Sequence, residues 1–372
     1  MNQPKKGEFR STVYANRPEY ADYDAPEKFM AIEGIISSKL IRHPNAVCSY
    51  SGGSDSDIMV DLIEHIRSII PSLPPVKYVF YDTGLEMKAI KQHVADTAQK
   101  YGVEIQTVRP EKGVVAAVRE HGVPFISKIV SAGLEVVQKK ALPLSIAREY
   151  EQAEDKVAKR AELKARHPKA EAGINFLCSC NSAGEPRPNI QLAISSNDYL
   201  LEFFEEHGLP DFPISSKCCD YCKKNPAKKV EKEFDMVITG ERRDEGGMRS
   251  VPRGDSSSMC FQETGYGKFR LRPLFYVSDA DKAWYKEWRG IRYSDAYEVY
   301  GLKRTGCCGC SISARAVDDL RRIGAYEPKL EAAAHAVFGK SYDLRERYNA
   351  FKRARRAAEK ALDGQEVLDG FR

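Results

Sequence analysis

Ala46-Val-Cys-Ser-Tyr-Ser-Gly-Gly-Ser-Asp-Ser-Asp-Ile58 joins a short apolar run to an amphipathic one through a loop of small residues. Downstream, apolar residues recur at Ile58, Leu62, Ile66 and Ile70, with Met59 and Ile63 beside them, which is helical rather than alternating spacing. The stretch therefore predicts a strand, a loop and a helix that begins near Asp57. Gly52 and Gly53 let the backbone turn tightly and approach a ligand with no Cβ in the way. Ser51, Ser54 and Ser56 add hydroxyls. The free N–H groups of the helix's first turn point to the same place, so the loop favours an anion. It does not end in Gly-Lys-Ser/Thr, so the lysine that grips the γ-phosphate in a Walker A loop is missing. The plainer alternative is a Ser/Gly turn in which Ser54 or Asp55 only caps a helix.

Outward from the loop, Phe29, Met30, Ile32, Ile35, Ile36 and Leu40 predict a helix over Ala25 to Ile41. Val76-Lys-Tyr-Val-Phe-Tyr81 reads as a second strand, running into Asp82-Thr-Gly-Leu-Glu86. A helix (Glu86 to Tyr101), a strand (Val103 to Val108) and a helix (Gly113 to His121) follow. This alternation predicts βαβ units on a parallel sheet, with ligands beyond the carboxyl ends of the strands. The Ser51 loop and Asp82-Thr83-Gly84 are expected there side by side, unless Asp82 merely caps the next helix. Phe234 to Thr239 predicts another strand, followed by Gly240-Glu-Arg-Arg-Asp-Glu-Gly-Gly-Met-Arg249. Arg242, Arg243 and Arg249 near a strand end suit a phosphate or sulfate, which guanidinium binds bidentately; a surface loop of paired Arg and Glu is the alternative.

Length and charge set bounds. The 372 residues suggest about two domains, and 42% hydrophobic with 30% charged residues is ordinary for a soluble chain. The opening Met-Asn-Gln-Pro-Lys-Lys has no apolar run and no stretch reaches membrane-spanning length, so a cytoplasmic protein with no membrane partner is expected. Residues 146–166 are highly charged and helix-prone, which predicts a solvent-facing inserted helix. Leu344 to Ala361 predicts a helix with Arg345, Arg347, Lys352, Arg353, Arg355, Arg356 and Lys360 against Glu346 and Glu359. Such a stripe is a candidate contact for the phosphates of tRNA or DNA, or a cationic surface with no partner.

The ten cysteines are too clustered for a disulfide framework in a reducing compartment. Cys307-x-x-Cys310 has the spacing of two thiolates on one metal or cluster, with Gly306 and Gly309 giving the backbone room to curl. Cys218-Cys219-Asp-Tyr-Cys222 supplies a second pair. Cys48 in the first strand reads as a small apolar residue, and Cys178, Cys180 and Cys260 fit no ligand pattern.

Ser51-Gly-Gly-Ser-Asp-Ser56 resembles the SGGxDS pyrophosphate loop of the adenine nucleotide α-hydrolase (PP-loop) superfamily. With Asp82-Thr83-Gly84 after the next strand, the order resembles the phosphoadenosine phosphosulfate (PAPS) reductase family. Gly240 to Arg249 is similar to that family's G-x-R-R-E-x-S-x-x-R segment, with Asp244 and Gly246 as departures. Arg272 to Asp281 resembles its P-L-x-x-W-x-x-x-D segment with Val277 in the Trp position, where Ser278 would cap a helix carrying Trp284 and Trp288. Tyr300 to Cys307 resembles the approach to its C-x-x-C. The tandem Cys218-Cys219 and the downstream Cys307-x-x-Cys310 resemble the [4Fe-4S] pattern of adenylylsulfate reductases, with Cys222 where a basic residue is usual. That leaves two ligand sets, Cys218, Cys219, Cys307, Cys310 or Cys219, Cys222, Cys307, Cys310, and the second also fits zinc.

The resemblance implies an α/β, parallel-sheet, Rossmann-like PP-loop nucleotide-binding fold, with a helical insertion and a C-terminal cluster-binding and helical part. The implied divisions are an N-terminal segment (1–24), the nucleotide-binding part (25–138), the insertion (139–190), the remainder with the cysteines (191–311) and a C-terminal helical region (312–372). It implies an adenine nucleotide at Ser51 to Ser56 and Asp82 to Gly84. The family's reductases use a cysteine near the C-terminus as nucleophile, yet none follows Cys310 here, so a thiol nucleophile would be Cys178, Cys180, Cys222, Cys260 or Cys308. Related enzymes instead use ATP with Mg²⁺, releasing AMP and pyrophosphate in sulfur transfer to tRNA or DNA, with a sulfur donor or thiol reductant protein as partner. Three readings therefore stand: ATP pyrophosphatase, sulfonucleotide reductase, and a nucleotide- or redox-sensing protein without catalysis. No catalytic residue is identified by the sequence.

Overall fold

The computed structural model describes residues 18–181, 183–185, 194, 199–246, 260–265 and 267–369. The chain forms two compact units, each built from two segments: Met1–Glu111 with Cys222–Gly306, and Lys112–Tyr221 with Cys307–Arg372. In chain order, the first segment runs α1 (Ala25–Arg42), β1 (Ala46–Tyr50), α2 (Ser54–Ile69), β2 (Val76–Tyr81), α3 (Lys88–Tyr101) and β3 (Ile105–Val108). The second is helical, with α4 (Val114–His121), α5 (Lys128–Lys139), α6 (Ser145–Gln152), α7 (Lys156–Arg166), α8 (Glu171–Leu177) and α9 (Leu200–His207). After short helical turns over Lys217–Cys219 and Asp220–Lys224 come α10 (Asn225–Glu231), β4 (Met236–Ile238), β5 (Phe261–Gly265), β6 (Lys268–Leu271), α11 (Asp279–Arg289) and α12 (Asp295–Glu298). The last two helices are α13 (Ala316–Gly324) and α14 (Pro328–Asp369).

Among the described residues, all six strands belong to the first unit and form one sheet in the order β3-β2-β1-β4-β6-β5. It is parallel except for the β5/β6 hairpin, which sequence patterning did not suggest. Strand β1 pairs with β2 from Ala46↔Val76 to Tyr50↔Phe80, and with β4 from Ala46↔Met236 to Cys48↔Ile238. The inner strands are nearly continuous buried apolar runs, as a sheet covered on both faces requires. Because β2 and β3 lie on one side of β1 and β4, β6 and β5 on the other, the order reverses at β1/β4. That reversal is where an open α/β sheet leaves a crevice beyond its carboxyl ends, and both Ser51 and Thr239 leave their strands there.

The helices follow the predicted ranges with local differences. Helix α2 starts at Ser54, three residues ahead of the apolar periodicity, because Gly53 is extended (φ −93°, ψ 154°) and Ser56 turns back onto it. Helix α3 starts at Lys88 rather than Glu86, and β3 at Ile105 rather than Val103. Ser278 caps α11 as expected, accepting from the Asp281 N–H at 3.1 Å.

In the second unit the expected solvent-facing helix over residues 146–166 is corrected to two helices, α6 and α7, broken before Asp155. That aspartate caps α7 by accepting from the Val157 and Ala158 N–H groups. Their inner faces are not solvated: Ile146, Ala147, Tyr150 and Leu163 join Phe203 and Phe204 in the unit's main hydrophobic core. Charge lies on the outer face only, so a high charge count concealed a conventional amphipathic pattern. The predicted basic helix is part of α14, whose Leu344 and Tyr348 enter the same core. Among the described residues no helix is long and apolar enough to cross a membrane.

Candidate functional site

The loop between β1 and α2 is held by its own serines. The Ser56 hydroxyl donates to the Gly53 carbonyl at 2.7 Å and accepts from the Gly53 N–H at 3.1 Å and the Ser51 N–H at 3.2 Å. Gly52 takes φ +66°, and a Cβ there would lie 2.9 Å from Ile90 Cγ2 of α3. Gly53 needs its missing side chain for a different reason: a Cβ would stand 3.1 Å from both Ser51 Oγ and Thr305 Oγ1, and 3.3 Å from the Tyr297 hydroxyl. The cap is thus formed by Gly53 and Ser56, and neither Ser54 nor Asp55 does the capping expected of a plain turn. The Ser54 N–H instead points at the Tyr297 hydroxyl (3.4 Å), which also bonds Thr305 Oγ1 at 3.0 Å. Tyr297 lies some 240 residues downstream with no motif of its own, and Thr305 stands in the segment leading to Cys307, where nothing in the sequence links it to this loop.

Charge around the loop is arranged about Asp55. Its Oδ1 receives Arg242 Nε at 2.9 Å and Lys282 Nζ at 2.7 Å, and Lys282 Nζ also reaches Ser54 Oγ at 2.5 Å. Arg242 was expected to hold an external anion, but its side chain is only 5% exposed and already committed. Its other nitrogens donate to the Val277 carbonyl at 3.1 Å and to Asp279 Oδ1 at 2.7 Å. Burial alone would weaken its proton affinity, but Asp55 and Asp279 more than reverse this. Gly240 is where β4's end meets α2, since a Cβ would stand 2.9 Å from the Asp55 carbonyl oxygen. Arg243 is more open and lies over the Tyr276 ring at 5.7 Å. Arg249 lies outside the described residues.

Behind the loop, Asp57 Oδ1 accepts from the Tyr50 hydroxyl (2.7 Å) and faces His93 Nε2 (2.9 Å), while its Oδ2 is buried with no hydrogen-bond partner. At the end of β2, Asp82 does not cap α3. It accepts from the Gly84 N–H at 3.0 Å and from Lys91 Nζ at 3.0 Å, with Arg109 Nε 3.5 Å away. Burial would raise its carboxyl pKa, but Lys91, the Gly84 N–H and Arg109 hold it below the usual range. Thr83 is fully buried and donates to Glu86 Oε1 at 2.7 Å. Burial pushes Glu86 up despite nearby Lys223. Lys91 is 44% and Arg109 78% exposed, so both can reach a ligand.

Four of the cysteines, Cys218, Cys219, Cys307 and Cys310, fall within the second unit, whereas Cys222 falls in the first. The Cys218 thiol is pushed strongly up by its hydrogen bond with Cys219, by burial, and by the nearby Cys219, Cys310 and Cys307 sulfurs. Cys219, Cys307 and Cys310 thus all lie near enough to act on Cys218, and thiols are the donor set that iron–sulfur clusters and zinc use. Among the described residues, however, no three His, Cys, Asp or Glu side chains are already arranged to hold a metal ion. The Cys307 loop is braced by α14: the Tyr342 hydroxyl donates to the Gly309 carbonyl, and Arg345 Nη1 donates to the Ser311 and Ser313 carbonyls. Gly309, at φ +66°, leaves room for that tyrosine hydroxyl. Cys178, Cys180, Cys222, Cys260 and Cys308 are all buried. Burial raises Cys178 to about 12 and, against a hydrogen bond from Tyr20, Cys260 to about 11.

Residues 45–160, under half of the chain, match the family model described as phosphoadenosine phosphosulfate reductase domain. Over that span the chain is similar to this family's domain, and the expected PP-loop character agrees with the strand–loop–helix geometry. A nucleotide-binding α/β domain is the reading this match supports. No curated protein matches the sequence. Among solved structures, the chain is similar to phosphoadenylyl-sulfate (PAPS) reductase from Candida auris in a phosphate complex. That pair has 14% identity and a TM-score of 0.37, with 82% of this chain and 97% of that one covered. It is also similar to FMN adenylyltransferase from Candida glabrata (12% identity, TM-score 0.35, coverage 81% and 70%). The same enzyme in complex with ATP gives 10% identity, a TM-score of 0.36, and coverage of 81% and 70%. At such scores the fold is defined by the strand order and register above.

Proposed function

We propose that the protein is an enzyme acting on ATP in the pyrophosphatase manner, in sulfur transfer to a nucleic acid. The phosphates rest on Ser51 to Ser56, with Asp82 to Gly84 bordering the nucleotide. A nucleophilic oxygen of the acceptor attacks the α-phosphorus, the bond to the β-phosphate oxygen breaks, and pyrophosphate leaves. The outer sulfur of a donor protein's persulfide then displaces AMP, and a thiol reductant attacks the inner sulfur of the resulting S–S bond, leaving the outer sulfur on the acceptor and the donor in a disulfide with the reductant. Loop N–H groups stabilise the charge growing on the leaving pyrophosphate, and Mg²⁺ carried by ATP supplies further neutralisation.

The observation that carries this reading is that all five candidate thiol nucleophiles, Cys178, Cys180, Cys222, Cys260 and Cys308, are buried. A sulfonucleotide reductase attacks sulfur with an accessible thiolate. Raised thiol pKa values at Cys178 and Cys260 argue in the same direction. Cys218, Cys219, Cys307 and Cys310 would hold a [4Fe-4S] cluster, or zinc in its place; the cluster would supply a one-electron redox centre. The acceptor would be tRNA or DNA, steered by the cationic side of α14. Sulfonucleotide reduction remains the second reading, favoured by the family whose model matches residues 45–160.

The test offers the anaerobically prepared protein either ATP, Mg²⁺ and tRNA or DNA with a persulfide donor, or PAPS or adenylylsulfate with reduced thioredoxin. AMP and pyrophosphate from the first mixture and no sulfite from the second are expected. Sulfite formation, lost on replacing one of the five buried cysteines by serine, overturns the assignment in favour of the reductase. Tight nucleotide binding with neither product points to a non-catalytic sensor.

A further inference from the structure

We infer that Lys282 is the residue that receives the terminal phosphates of a nucleoside di- or triphosphate, serving from α11 the role of the lysine absent from the loop itself. This rests on the nucleotide reading above and names a specificity-determining residue for it. Lys282 Nζ stands at the first turn of α2, 2.5 Å from Ser54 Oγ and 2.7 Å from Asp55 Oδ1, with a side chain 16% exposed. It is thus partly shielded from water yet open to a ligand.

Charge explains why such a cation is needed. Asp55 and Asp279 place two carboxylates about Arg242, which pairs with both but brings a single positive charge. Phosphates approaching Ser54 would otherwise meet net negative charge. Arg242 cannot turn to them without losing its bonds to Asp55, Val277 and Asp279 inside a nearly closed setting. A lysine is a point charge on a flexible stem. Lys282 can rotate from Asp55 toward an incoming phosphate while Arg242 keeps Asp55 paired.

A second observation points to a ligand at the same place. Tyr293 is only 9% exposed, and its hydroxyl is buried with no hydrogen-bond partner. Its ring lies 5.6 Å from Lys282 Nζ, and after burial the charges that act most on it are those of Asp57 and Asp55. A buried unpaired hydroxyl is costly, and a ligand oxygen or its bound water would relieve it. The Tyr297 and Thr305 hydroxyls, which face Gly53, add neutral groups at the loop beside Ser54, the residue that Lys282 reaches.

The expected signature is dependence on phosphate number. Calorimetry with ATP, ADP and AMP on the full chain should show Lys282→Gln weakening ATP about 10- to 100-fold, the range of a lost charge-assisted hydrogen bond, with AMP changed no more than about 3-fold. Lys282→Arg should restore most of the ATP affinity. Equal losses for ATP and AMP would make Lys282 a mere prop for Asp55 and overturn the inference, as would unchanged ATP affinity. Should Lys282→Gln fold poorly, amine-selective acetylation of the unaltered protein decides the matter. Lys282 should be protected by ATP and not by AMP, and equal protection overturns the inference. A wild-type protein that binds none of the three overturns the nucleotide reading together with this one.

Discussion

Adding one methyl group to Gly52 or to Gly53 should have opposite consequences, because the two glycines are required for different reasons. At Gly52 the backbone is left-handed (φ +66°), which costs an L-residue about 1–2 kcal/mol. The new Cβ would also stand 2.9 Å from Ile90 Cγ2. That is the end of a side chain, so the added strain should fall near the bottom of the overpacking range, about 1–2 kcal/mol. Gly52→Ala should therefore destabilise the fold by about 2–4 kcal/mol, lowering a urea midpoint by roughly 1 M. Gly53 is extended (φ −93°), so alanine is conformationally acceptable there. Its Cβ would meet Ser51 Oγ, Thr305 Oγ1 and the Tyr297 hydroxyl at 3.1–3.3 Å, all on the side where the ligand is expected. Gly53→Ala should shift stability by about 1 kcal/mol or less, while weakening ATP binding; Gly53→Val should abolish it. Urea unfolding and ATP calorimetry on the same samples make the comparison. The reasoning fails if Gly53→Val binds ATP as the parent does, or if Gly52→Ala leaves the urea midpoint unchanged.

Two more consequences can be measured. Protein purified without air should be brown with about four irons per chain, and Cys307→Ser or Cys219→Ser should remove both colour and iron. Stoichiometric zinc without iron in such protein would refute the cluster. The Asp61 carboxylate gives a pH test: burial would raise its pKa, but Arg289, Tyr285 and Tyr101 hold it below the usual range. Because its folded pKa is depressed, the stability it contributes is complete above the unfolded value of about 3.9 and is lost as pH falls through the folded value. Asp61→Asn should cost about 1–3 kcal/mol near neutrality and flatten the acid limb of urea midpoints measured from pH 6 downward. An acid limb of unaltered steepness would show that other carboxylates control it.

What the sequence revealed was what local pattern controls. Residues 46–58 carried both the strand and the helix, because buried strands leave apolar runs and α2 repeats its apolar positions with helical period. The start of α2 was misplaced since Ser54 and Ser56 look like loop residues until Ser56 is seen folded onto Gly53. Residues 146–166 misled because charge is counted without direction, and only the packed structure shows Ile146, Tyr150 and Leu163 facing inward. The β5/β6 hairpin left no alternating signal strong enough to be read. Tyr293, Tyr297, Thr305 and Lys282 were not assigned to the loop for another reason: they reach it by tertiary folding from more than 200 residues away, and even Thr305, inside the stretch leading to Cys307, carries no local sign of that contact.

Arg242 and Lys282 together show where motif reading stops. Three guanidiniums after a strand, Arg242, Arg243 and Arg249, suggested one anion-binding site, and nothing in a sequence distinguishes a free arginine from a committed one. In the fold, Arg242 bonds to Asp55, Val277 and Asp279, so its charge serves to fix the loop against β4 and the start of α11. An acid in a phosphate loop would repel the ligand unless it were neutralised, and a cation that neutralises it permanently is unavailable to the ligand. Division of labour resolves the conflict: a buried arginine with fixed geometry pairs with Asp55 for good, and a partly exposed lysine pairs with it only until a phosphate arrives. Lys282→Arg keeps the charge but exchanges a compact ammonium for a planar guanidinium, so the amount by which its expected recovery of most of the ATP affinity falls short of complete measures how much of the role is geometry.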